Sequence, residues 1–184
     1  MNSEMPDLRY PIGKFTVEGD VTRDRVAAWI DDIAVLPADL RRTVSPLTGG
    51  QLDTPYRPGG WTVRQVVHHL ADSHMNSYIR FKLALTEDRP VIKAYDEKSW
   101  AELPDSREPV AASLDLLAGL HRRWVDLLRS LSWAQLQREF VHPESGASGL
   151  AVMVGAYSWH GRHHLAHIER LLERQGWGAG TAVS

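Results

Sequence analysis

Residues 153–176 read MVGAYSWHGRHHLAHIERLLERQG, and this stretch decides the fold class. Stepped round at about 100° per residue, Met153, Tyr157, Ile168 and Leu171 share one face, while Arg162, Glu169 and Glu173 fall opposite. That is an amphipathic helix with one side towards a core and the other in water. It follows a loop from His142 to Gly149, runs to about Gln175 and stops at Gly176, a glycine suited to a helix end.

Working outward, three more segments carry the same period. Thr22 offers an N-cap to a run with Val26, Ile30, Ile33, Pro37, Leu40 and Val44 at alternating gaps of four and three. Pro37 lacks the N–H that would bond to the preceding turn, so a kink or restart is expected there. A second helix is predicted from near Thr62 to about Leu85, with Val63, Val66, Val67, Leu70, Phe81 and Leu85 on one side. A third runs from about Pro109 to Ser130 through Val110, Leu114, Leu117, Trp124 and Leu128. Ser132 and Gln135 form a capping box for one short further helix.

Four long amphipathic helices without a strand pattern give an all-α fold, an antiparallel, up-and-down four-helix bundle in one domain over residues 1–184. Residues 1–20 read as an extended arm broken by Pro6, Pro11, Gly13 and Gly19, with Tyr10 to Ile12 laid on the surface. Residues 45–60 are a loop. Residues 86–109 are a long irregular connection, a length that points to function, and are expected near one end of the site.

Composition narrows the function classes. With 43% hydrophobic and 24% charged residues the chain is globular rather than disordered, and no apolar run approaches the roughly 20 residues of a membrane span. Met1 to Leu8 carry Glu4 and Asp7 and no apolar segment, so a cytoplasmic location without a secretory signal is expected. A formal net charge of −2 gives no electrostatic reason for nucleic acid or an anionic membrane as partner. The absence of cysteine removes disulfides, thiolate metal sites and a cysteine nucleophile together. Nine histidines and seven tryptophans stand out.

In the fourth helix His160 and His164 fall within the apolar arc one turn apart, and His163 and His167 lie towards its edge. Two imidazoles at i and i+4 can grip one divalent metal, and bundle interiors build such sites from facing helices. The alternative is a pair of core histidines, each needing its own hydrogen-bond partner. A third ligand would come from His68, His69 or His74 in the second helix. Periodicity favours His74, with His69 on the flank and His68 near the outside. His121 reads as a core histidine or a partner of a ligand, His142 as exposed, and Asp72 and Glu102 as candidate bases or partners that are more simply solvated. No phosphate loop, nucleophile elbow or paired-carboxylate motif is present.

The segments GGWTVRQVVHHLADSHMNSYIRFKLALTED, KAYDEKSWAELPDS, LHRRW and YSWHGRHHLAHI together make the chain resemble the DinB/YfiT-like superfamily, within it the YfiT group of metal-dependent hydrolases related to bacillithiol S-transferases. The resemblance implies a four-helix bundle holding one divalent metal, nickel or zinc, through three histidines. The pattern W[TS]xxQxxxHL falls on Trp61, Gln65, His69 and Leu70, and the HxxxH of the last helix on His160 and His164. It thus selects His69 over His74 and leaves His68 and His74 as partners that orient a ligand. It further implies a homodimer acting on small molecules: a bacillithiol-like thiol with an electrophile, or a hydrolysable substrate. A non-catalytic metal-binding bundle is the remaining alternative, and no catalytic residue beyond the metal ligands is assigned.

Overall fold

A computed structural model describes residues 7–177 of the chain; residues 1–6 of the expected arm and residues 178–184 lie outside it. The elements in order are α1 (Arg23–Val44), α2 (Gly49–Leu52), α3 (Val63–Thr86), α4 (Glu97–Ala101), a 3-10 turn (Pro104–Arg107), α5 (Ala111–Ser130), α6 (Trp133–Leu136), β1 (Glu139–His142), β2 (Gly146–Gly149) and α7 (Leu150–Gln175). The four long helices α1, α3, α5 and α7 form the four-helix bundle. None of the described helices is long and apolar enough to cross a membrane.

The helix ends follow their sequence signals. The Thr22 hydroxyl accepts from the Arg25 N–H, and Thr62 and Gln65 form a full capping box at the start of α3. Gly176 ends α7 in the left-handed conformation at φ 67°. Two expectations need correction. Of the kink or restart expected at Pro37, the restart does not occur: α1 runs on for a further two turns. The stretch after α6 is an antiparallel hairpin pairing Glu139 with Gly149 and His142 with Gly146. Its strands of four residues are too short for a countable alternation, so no strand pattern was visible.

The topology also differs from up-and-down. Arg41 pairs with Asp115, the Ile33 carbonyl with His121, and Asp31 with Arg129, so α1 and α5 are antiparallel. His68 meets Ser113, His74 meets His121, and Phe81 meets Trp124, so α3 and α5 run parallel. Contacts of Trp29 with Gly155, Asp32 with Ser158 and Leu36 with Gly161 make α1 and α7 parallel as well. The order of directions is up, down, down, up. Parallel neighbours need a connection that returns the length of a helix, and residues 87–110 supply it by running back along α3. Arg80 bonds the Lys93 carbonyl, Gln65 the Ala101 carbonyl and Arg64 the Glu108 carbonyl along that path.

The core has two apolar layers. One gathers Val26, Ile30, Ile33, Phe81, Trp124, Leu128, Leu150 and Val154; the other gathers Leu36, Leu40, Val63, Val66, Leu70, Leu114, Leu117, Ile168 and Leu171. Each long helix changes layer at the same height, and there α3, α5 and α7 place His74, His121 and His160. The turn of α7 that carries His160 lies hard against α1, since a Cβ on Gly161 would stand 2.5 Å from Leu36 Cδ2.

Candidate metal centre

Two turns beyond its capping box, α3 presents His69 towards α7. There it meets His160 and His164, and one ring nitrogen from each of the three lies within 4.8 Å of the others. His69 Nε2 and His160 Nε2 are 3.3 Å apart. Two nitrogens bound at 2.0–2.1 Å to one tetrahedral ion stand roughly 3.3–3.4 Å apart, so this spacing fits a shared divalent metal. No carboxylate joins the group among the described residues.

Burial tunes the site towards neutral imidazoles. It pushes the His69 pKa down to about 4, and it drives His160 and His164 well below the usual histidine range, with neighbouring histidines adding to the effect. All three rings are therefore unprotonated lone-pair donors at neutral pH, the form a metal requires. Trp61 lies over His69 at a ring separation of 4.6 Å, and its loop is pinned by the Tyr56 N–H on the Trp61 carbonyl.

His74 is fully buried behind the cluster. Its Nε2 is 3.1 Å from His160 Nδ1 and its Nδ1 is 2.9 Å from His121 Nε2, while His121 Nδ1 donates to the Ile33 carbonyl at 2.7 Å. Periodicity correctly placed His74 deepest, but the deepest position faces the bundle centre, and the three histidines converge on the flank of α3 that meets α7. His68 is buried rather than outside and stands apart from the cluster. Its Nε2 donates to the Glu108 carbonyl at 3.0 Å, and its Nδ1 accepts from the Ser113 hydroxyl at 2.7 Å. It staples α3 to the start of α5 and does not orient a ligand. His163 and His167 are buried under the arm, where His167 stacks on Tyr56 at 4.0 Å and bonds the Arg9 carbonyl.

The acidic candidates divide. Asp72 is half-buried, with its carboxyl pKa raised by burial and by Asp105, yet no hydrogen bond links it to the cluster. Glu102 is exposed and accepts from Gln65. His142 is only partly exposed and lines a cavity of about 850 Å³ with Arg80, Lys98, Glu97, Tyr95 and Tyr157. Tyr157 links that cavity to the cluster, its ring 5.5 Å from that of His160. Tyr95 is a residue the sequence reading missed. Its hydroxyl is buried without a hydrogen-bond partner, and burial raises its pKa above the usual tyrosine value. Its signals were the unusual length of the 86–109 connection and its place in the segment KAYDEKSWAELPDS.

The profile of the DinB superfamily matches residues 32–168. The chain belongs to that superfamily. Among similar proteins, one from Bacillus mycoides named "Putative metal-dependent hydrolase" is 60% identical over 173 residues, covering 94% of this chain and 100% of its own. A Bacillus cereus protein of the same name is 58% identical over the same span. The solved structure of YfiT from Bacillus subtilis, described as a probable metal-dependent hydrolase with an unusual four-helix bundle topology, has a TM-score of 0.90 at 51% identity. The match covers 93% of this chain and 99% of that one.

Proposed function

We propose that this protein is a metal-dependent S-transferase in which His69, His160 and His164 hold one divalent ion, nickel or zinc. It joins a low-molecular-weight thiol of the bacillithiol kind to an electrophilic small molecule. The observation that carries the reading is a three-imidazole cluster without a carboxylate, in a chain without cysteine. When bound, the ion supplies Lewis acidity that lowers the pKa of a thiol or water placed on it. The chain's own residues would do the rest: three neutral rings would hold the ion, and Trp61 packs against the His69 ring. Arg80 and Lys98 line the cavity beside Tyr157 together with Asp96, Glu97 and Glu144, a polar lining of both signs for a polar cosubstrate. The thiol sulfur forms the bond to the electrophilic carbon, the leaving group departs with its electron pair, and the thiol proton passes to solvent. A thiol cosubstrate suits a reducing cytoplasmic setting.

Hydrolysis is the second reading, supported by the names of the relatives. It calls for a base or acid beside the metal, and Asp72 is the nearest candidate along α3. The reading as a homodimer rests on the family resemblance, and a sedimentation mass at the 20.7 kDa of one chain would contradict it. The test of function incubates metal-loaded protein with bacillithiol or another small thiol and monochlorobimane, beside His160→Ala. Conjugation at least tenfold faster with the unaltered protein is expected. Equal rates across all thiols overturn the transferase reading and leave hydrolysis or a purely structural metal.

A further inference from the structure

Behind His160 the bundle core holds an unbroken line of hydrogen bonds that ends on a backbone carbonyl. The Ile33 carbonyl is free to receive it because of Pro37. An α-helical carbonyl normally accepts from the N–H four residues on, and at position 37 that N–H is missing. α1 nevertheless continues through Pro37, and His121 Nδ1 takes the vacant acceptor at 2.7 Å.

Direction along the line then follows from elementary donor and acceptor rules. A carbonyl can only accept, so His121 Nδ1 carries the hydrogen. His121 and His74 are 1% and 0% exposed and face no carboxylate along this line, so a charged imidazolium there would be buried without compensation. A neutral His121 has a lone pair on Nε2, which makes His74 Nδ1 the donor across 2.9 Å. A neutral His74 has its lone pair on Nε2 and accepts from His160 Nδ1 across 3.1 Å. His160 is left with its lone pair on Nε2, the nitrogen that stands 3.3 Å from His69 Nε2.

We infer that Pro37, the Ile33 carbonyl, His121 and His74 form a positioning line that fixes the tautomer and ring orientation of His160, so that its Nε2 lone pair is held ready for the metal. None of these residues touches the ion or the substrate. A carbonyl or carboxylate behind a ligating histidine is the usual orienting device; here two further imidazoles carry that orientation about three ring widths across the core, from a proline-vacated carbonyl in α1 to the ligand in α7. The inference rests on His160 being a metal ligand only for its purpose, not for its geometry.

The test uses long-range ¹H–¹⁵N correlation on the full, unaltered chain, metal-free, at neutral pH. Single Nδ1–H tautomers are expected at His74, His121 and His160. An Nε2–H tautomer or a mixture at any of the three overturns the line. A second measurement uses His121→Leu, which removes the link two hydrogen bonds from the cluster and leaves all three ligands in place. Zinc affinity is expected to fall by about 10- to 100-fold, with His160 no longer in one tautomer. Unchanged affinity together with an unchanged His160 tautomer contradicts the role. The two readings separate cleanly: ordered tautomers with no zinc binding would sink the metal site alone, and tight zinc binding with mixed tautomers would sink the line alone.

Discussion

His69 and His121 illustrate what burial does to a single side chain. Each titrates near 6.5 when exposed in the unfolded chain, and burial pushes each to about 4 in the folded one. Between those values the unfolded chain binds more protons, so stability is intact above about 6.5 and is lost as pH falls towards 4. His74, His160 and His164 shift in the same direction. The raised carboxyls of Asp72 and Glu97 oppose the trend, but fewer groups act that way. Urea unfolding of the metal-free protein is expected to lose more than about 1.4 kcal/mol per pH unit between pH 6.5 and 5, the slope of a single proton. A flat profile over that window would show that these rings are not held neutral. At this scale the sequence was partly legible. The spacing of His160 and His164 marked both as inward, because a helix face is readable from its period. The same rule put His74 ahead of His69, whereas it is His69 that the structure brings together with His160 and His164. Angular position finds the centre of a helix face, whereas the cluster converges at its edge, and only the motif with Trp61 and Gln65 carried that information.

The elements show why that motif contains a glutamine. Gln65 accepts from the Thr62 N–H at 3.0 Å, closing the cap of α3, and donates to the Ala101 carbonyl at 2.9 Å, tying the return connection to the same turn. It therefore sets the start of α3 and, itself one turn before His69, holds α4 beside the helix. Gln65→Ala is expected to cost about 1–2 kcal/mol in chemical denaturation and to speed hydrogen exchange at residues 97–107. Unaltered stability and exchange would mean that the connection is anchored elsewhere. Helix starts and stops were legible because Thr22, Thr62, Ser132 and Gly176 are local signals. The hairpin of β1 and β2 was not, since strands of four residues are too short to show an alternation.

For the whole molecule, the up, down, down, up order has a physical consequence. Making α3 and α5 parallel forces residues 87–110 back along α3, and this brings Tyr95 into the cavity it lines with Tyr157, whose ring is 5.5 Å from that of His160. An up-and-down bundle would have closed α3 to α5 with a short turn and lacked the wall that residues 94–98 give this cavity. The long connection was visible in the sequence, but its direction was not, because a span of that length reaches either end of a neighbouring helix. The two apolar layers and the histidine layer between them then follow from the helix registers. The central claim is that this layer ends in a metal centre at His69, His160 and His164. It is tested most directly by an anomalous difference map from crystals of the zinc-loaded protein, collected on both sides of the zinc edge. One peak is expected between α3 and α7, at about 2.0–2.1 Å from a nitrogen of each of His69, His160 and His164. A peak ligated by His74, a peak between His163 and His167, or no peak at all would contradict it.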